Sequence, residues 1–184
     1  MQEWLNWPLS KSGKVKAFEG SNPSLSAMPE YATIESMEDS IFTKIIKGEI
    51  PSHKIYEDDK TFAFLDIHPI QEGHVLVVPK VQAEFIWDLD AEDYQALMNT
   101  VQKVGRRLRE VTEAAYVGVE VIGVDVPHAH VHVVPFTTTD ELRSGSDMSQ
   151  EPDHEALAKV AEKLRIDDTV SHEEPAEKPE DKAE

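Results

Sequence analysis

Between residues 91 and 112 apolar side chains recur every three or four positions, as Tyr94, Leu97, Met98, Val101, Val104, Leu108 and Val111. That period predicts one long amphipathic helix. Glu92 and Asp93 stand near its start and Lys103, Arg106, Arg107 and Arg109 toward its end, the polarity a helix dipole favours. Earlier segments are shorter. Ser40 is placed to cap a short helix in which Ile41, Phe42, Ile45 and Ile46 form an apolar stripe, and Gly48 stops it. Residues 53–57 and 61–66 flank Asp58-Asp59-Lys60 and predict a hairpin. Residues 74–79 predict a third strand, opened by the turn residue Gly73 and closed by Pro79. After the long helix, residues 117–122 and 126–135 predict two more strands. The order predicts an α+β domain: a five-stranded antiparallel sheet, a short N-terminal helix and one long helix.

The last of these strands carries the chemistry. In residues 126–135, VPHAHVHVVP, three histidines alternate with apolar residues between two prolines. Successive side chains of a strand point to opposite faces, so His128, His130 and His132 share one face while Ala129, Val131 and Val133 share the other. Imidazole is the side chain that serves as nucleophile, proton carrier or metal ligand near neutral pH. Three on one face call for a function.

Composition narrows the possibilities. The 184 residues suffice for one domain with a sizeable core, and 40% of them are apolar. With no cysteine, disulfides, thiolate nucleophiles and thiolate metal sites are excluded. The chain carries 18 basic and 36 acidic residues for a net charge of −18, and half of that excess lies in residues 140–184. An acidic surface disfavours binding to a nucleic acid duplex or an anionic membrane. No run of about 18 apolar residues is present, and the start lacks the apolar stretch of a secretory signal, so a cytoplasmic location is expected. Residues 1–39, with Trp4 and Trp7, read as an irregular leader, and Met28 and Met37 stand where alternative starts would. Residues 40–139 are expected to form the domain that carries the histidine strand. Residues 140–184 form an acidic extension in which Ala156, Leu157, Val160 and Leu164 mark one amphipathic helix and the remainder is disordered.

These segments resemble the histidine triad (HIT) family of nucleotide hydrolases and transferases, in particular its Hint-like branch of nucleotide phosphoramidases and dinucleoside polyphosphate hydrolases. The family signature alternates three histidines with apolar residues and ends in two apolar positions, and residues 128–134, HAHVHVV, satisfy it throughout. Residues 42–51, FTKIIKGEIP, are similar to the family's opening segment, 63–67, AFLDI, to its second strand, and 73–80, GHVLVVPK, to its third.

The resemblance implies that His130 attacks the α-phosphorus of a purine nucleotide and forms a nucleotidyl-histidine that water hydrolyses. It further implies that His132 lies beside the phosphate or leaving group, that His128 orients the constellation, and that His74 adds a donor to the phosphate. Asp66 corresponds to the acidic residue that binds the ribose hydroxyls, and Phe42, Phe64 and Ile67 to positions around the base. For Phe64 a plain core role is an equal alternative. No cofactor and no metal are implied, and a homodimer formed through the long helix and a strand is. His68 is expected to be an exposed turn residue, and His53, His154 and His172 solvated.

One departure bears on the substrate. The family's asparagine on the fourth strand is missing, and Glu120 or Asp125 lies near its place, where a carboxylate repels phosphate instead of donating to it. A catalytically weak nucleotide-binding protein is therefore an alternative. A zinc-dependent hydrolase is another, although the strand rise of roughly 3.3 Å per residue spreads His128 and His132 by about 13 Å, too far for one ion.

Overall fold

The computed structural model describes residues 38–167. The leader with Trp4 and Trp7, the end of the acidic tail and His172 lie outside the described residues. Helix α1 spans Ile41–Ile46, and Ser40 caps it by accepting from the Thr43 N–H. Gly48 ends it with φ at +77°, a conformation that costs a glycine little. Of the expected stripe only Phe42 is buried, and Ile41 is 49% exposed. Ile45 and Ile46 are partly buried against the same cluster, and a six-residue helix of less than two turns leaves Ile41 at its first position outside it.

Strands β1 (Lys54–Glu57), β2 (Thr61–Leu65), β3 (Val75–Pro79), β4 (Tyr116–Glu120) and β5 (Val131–Phe136) form one antiparallel sheet in the order β1-β2-β3-β5-β4. Helix α2 (Ala91–Val111) is capped by Asp90, which accepts from the Asp93 N–H. It lays Leu97, Val101, Val104 and Leu108 on the sheet, while Tyr94 at its first turn points outward. A buried Thr61–Thr100 hydroxyl contact of 2.8 Å crosses the same interface. Two short helices follow β5, α3 (Thr139–Arg143) and α4 (His154–Leu164). Ala161 and Leu164 of α4 join the core beneath α2, and the Ile166 N–H bonds to the Ile55 carbonyl on β1.

Parity along the strands separates two apolar clusters. Ala63, Leu65, Val75, Val77, Ala129, Val131 and Val133 face α2. Phe62, Phe64, Leu76 and Val78 face the other way and pack with Phe42 of α1. Leu76 stands opposite His132 in the ladder, so His132 shares the α1 side, with His74 two residues before Leu76. Gly73 turns the chain into β3 with φ at +90°, and a Cβ there would meet Leu108 and Pro135 at 3.3 Å. Among the described residues no helix is long and apolar enough to cross a membrane.

The histidine strand is shorter than its pattern predicts. β5 begins at Val131, so His128 and His130 precede the ladder. Pro127 has no N–H to offer, and the amides that follow bond elsewhere: His128 to the Val126 carbonyl at 2.8 Å and Ala129 to the Ala83 carbonyl at 2.6 Å. Alternation nonetheless persists upstream of the ladder, since Ala129 joins the α2-side core while His128 and His130 turn toward α1.

Candidate active site

His130 is only 6% exposed, and its ring lies between Phe42, with centroids 5.1 Å apart, and His132, at 5.0 Å. Its Nδ1 lies 2.7 Å from the backbone oxygen of His128. A carbonyl only accepts, so Nδ1 carries the proton and donates it. The neutral ring therefore has its lone pair on Nε2, the requirement for a nucleophile. The sequence gives no sign of this acceptor because it is a main-chain atom two residues upstream.

The same reasoning fixes the other rings. The Ile70 N–H donates to His74 Nδ1 at 3.2 Å, so the His74 proton sits on Nε2 and is donated to His132 Nδ1 at 3.0 Å. His132 then keeps its own proton on Nε2, the free side of the ring. The 3.7 Å approach of Asp66 Oδ2 to His74 Nδ1 is not an ion pair at neutral pH. Burial pushes the His74 and His132 pKa values down to about 4, and both rings are uncharged. Asp66, steered by the His68 N–H at 2.8 Å, has its pKa raised by burial.

His74, His130 and His132 line a cavity of about 490 Å³. Its remaining wall includes Glu120 and Asp125 and, from α3 and the turn after it, Leu142, Arg143 and Ser146. Leu142, Arg143, Gly145 and Ser146 thus line the cavity although they fall within the acidic extension. His128 does not line it. Its ring is fully buried and supports the site from behind. Phe42 sets its ring edge-on to both His128 and His130, and Phe64 lies behind it at 5.7 Å, buried. Ile67 is 43% exposed and lines a separate cavity of about 310 Å³ with Leu65 and His68. His68 is half-buried, not an exposed turn residue, because its backbone folds onto Asp66. His154 is exposed and His53 half-buried; the two rings stack with His53 Nε2 3.1 Å from His154 Nδ1 in an exposed contact, which agrees with the solvated surroundings expected.

These ionisations have a consequence for stability. Between about pH 4 and pH 6.5 the unfolded chain protonates His74 and His132 while the folded chain does not, so stability falls on acidification through that window. His128, also lowered by burial, acts in the same sense. Asp66 acts oppositely, since its raised pKa lets the folded state take up a proton first near the acid end. The expected result is a Tm that drops from about pH 7 to about pH 4.5, with a shallower drop in His132→Asn. Parallel pH profiles for the two proteins would contradict the assignment.

A HIT domain profile matches residues 47–139. The chain belongs to the HIT family. Adenosine 5'-monophosphoramidase HNT1 of Candida albicans is 33% identical over 134 residues, covering 68% of this chain and 88% of that protein. Protein hit of Bacillus subtilis is 38% identical over 103 residues, covering 53% of this chain and 71% of its own. Among solved structures, the HIT-like protein of Bartonella henselae superposes with a TM-score of 0.62 at 31% identity, covering 69% of this chain and 94% of that one. A zinc-bound HIT protein of Mycobacterium smegmatis gives 0.56 at 29%, covering 68% and 89%. The antiparallel five-stranded α+β architecture is that of the HIT fold, and this family comprises nucleotide hydrolases and transferases.

Among the described residues, the donor set that could hold a metal ion is Asp66, His74 and His132, whose ligand atoms lie within 4.8 Å of one another. Protons already occupy that space. An ion on His74 would displace either its bond to His132 or the Ile70 N–H, leaving a polar group unpaired at a cost of about 1–3 kcal/mol. The hydrogen bonding fits a proton relay better than an ion.

Proposed function

We propose that this protein hydrolyses a purine nucleoside phosphoramidate in two displacements at the α-phosphorus. The observation that carries the reading is the His130 Nδ1 bond to the His128 carbonyl, which leaves Nε2 unprotonated beside the cavity. In the first step His130 Nε2 forms a bond to phosphorus as the phosphorus–nitrogen bond to the amine breaks, and the departing nitrogen takes a proton from solvent. In the second step water attacks phosphorus, His130 departs with its lone pair restored, and a proton returns to solvent. His132 offers its Nε2 proton to a phosphoryl oxygen, a preorganised donor where negative charge develops. Asp66 would accept from the ribose hydroxyls, and Phe42 would flank the base with Phe64 packed behind it, while Ile67 lies on the separate cavity.

Glu120 and Asp125 bear on the leaving group. Two carboxylates and one guanidinium line that cavity, a balance that suits a basic amine better than a second phosphate chain. An adenosine phosphoramidate of a primary alkylamine is expected to give a kcat/KM at least about tenfold above that of a diadenosine polyphosphate, or about 1.4 kcal/mol in the transition state. The reverse ranking would overturn the leaving-group assignment.

The partner we propose is a second copy of this chain, paired through the long helix and a strand. β4 is an edge strand whose Tyr116 and Val119 are 60% and 50% exposed, an arrangement that invites strand pairing. A sedimentation mass of one chain at micromolar concentration would remove the homodimer.

A further inference from the structure

Behind the nucleophile, polar groups from two distant segments, residues 40–43 and 79–82, gather around His128, which is fully buried. His128 Nε2 lies 2.8 Å from the Pro79 carbonyl, so it donates, and Nδ1 must accept. The Ser40 hydroxyl supplies that proton at 2.7 Å. Thr43 Oγ1 lies 3.3 Å from the same nitrogen, but its proton goes to Gln82 Oε1 at 2.5 Å. Gln82 Oε1 also accepts from the Ser40 N–H at 3.0 Å, and its amide nitrogen donates to the Glu38 carbonyl at 3.0 Å. Every donor thus has one consistent direction.

The sheet does not hold this part of the chain, because the ladder begins only at Val131. The His128 carbonyl that fixes the His130 tautomer is held from two sides, by the Ala129 N–H of the same peptide, which bonds to the Ala83 carbonyl at 2.6 Å, and by what pins the His128 ring at both nitrogens. We propose that Ser40, Thr43 and Gln82 are positioning residues, a buried relay that acts through His128 to set the tautomer and aim of His130. None of the three touches the cavity. The inference deepens the catalytic reading above and rests on it for its kinetic part only.

The test pairs ring nitrogen-15 NMR with kinetics on full-length protein. Wild type is expected to show His130 protonated at Nδ1 and bare at Nε2. In Ser40→Ala/Thr43→Val, mixed tautomers at His130 are expected with kcat down by about tenfold or more, roughly one missing hydrogen-bonded support, while AMP affinity changes less than twofold. Ser40→Thr, which keeps the hydroxyl, is expected to retain the wild-type signals. Should the double variant fail to fold, Gln82→Leu removes the acceptor of Thr43 Oγ1 and of the Ser40 N–H from a half-buried position while leaving the Ser40 hydroxyl on the Thr43 N–H, with the same shift expected. Unchanged His130 ring signals in the folded variant would overturn the relay, whatever the activity. An inactive wild type with the predicted tautomers would instead sink the catalytic reading and leave the relay standing.

Discussion

Substituting His130 by alanine is expected to reduce turnover of an adenosine phosphoramidate by about a thousandfold or more, some 4 kcal/mol of transition-state stabilisation, with AMP binding retained. The split follows from position. His130 is the ring whose proton is committed to a backbone carbonyl and whose second nitrogen is bare, whereas His74 and His132 each show a proton or an occupied lone pair to their neighbours. No cysteine is present to substitute as nucleophile. Removing the ring also opens space beside Phe42, so Tm is to be measured alongside kcat and AMP affinity. A variant retaining turnover within tenfold of wild type would falsify the role.

His132→Ala comes next in size. Loss of a single preorganised donor to developing phosphoryl charge costs about a hundred- to a thousandfold in kcat. Because the donor acts on charge that grows toward the transition state, kcat is expected to fall more than KM rises. The His74 proton donated to His132 Nδ1 would then be left unpaired, adding a stability loss of about 1–3 kcal/mol. A change confined to KM would show that His132 only binds substrate.

Much of this arrangement was legible along the chain, and the reason is periodicity. The three- and four-residue recurrence of Leu97, Val101, Val104 and Leu108 yields α2 to within a residue at its C-terminal end, where Thr112 closes it by donating to the Leu108 carbonyl. The two-residue alternation puts Ala129, Val131 and Val133 opposite the histidines even though the ladder starts late. What stayed hidden is what periodicity does not encode. The acceptor for His130 is a carbonyl, and Gln82 looks like any polar residue after a strand until the fold brings it to Thr43. Arg143 and Ser146 sit in a polar, acidic stretch whose composition says solvent, yet α3, closed by a Thr138–Glu141 capping box, turns them to the cavity wall. The stripe held for Phe42, Ile45 and Ile46, which pack on one apolar cluster, and failed at Ile41, which the first turn of so short a helix leaves exposed.

A covalent nucleotidyl-histidine formed at His130 makes hydrolysis two in-line displacements at one phosphorus atom, and the stereochemistry of that atom records their number. Hydrolysis in isotopically labelled water of a substrate made chiral at the α-phosphorus is expected to proceed with net retention. Net inversion would mean that water attacks directly, and that His130 is not a nucleophile.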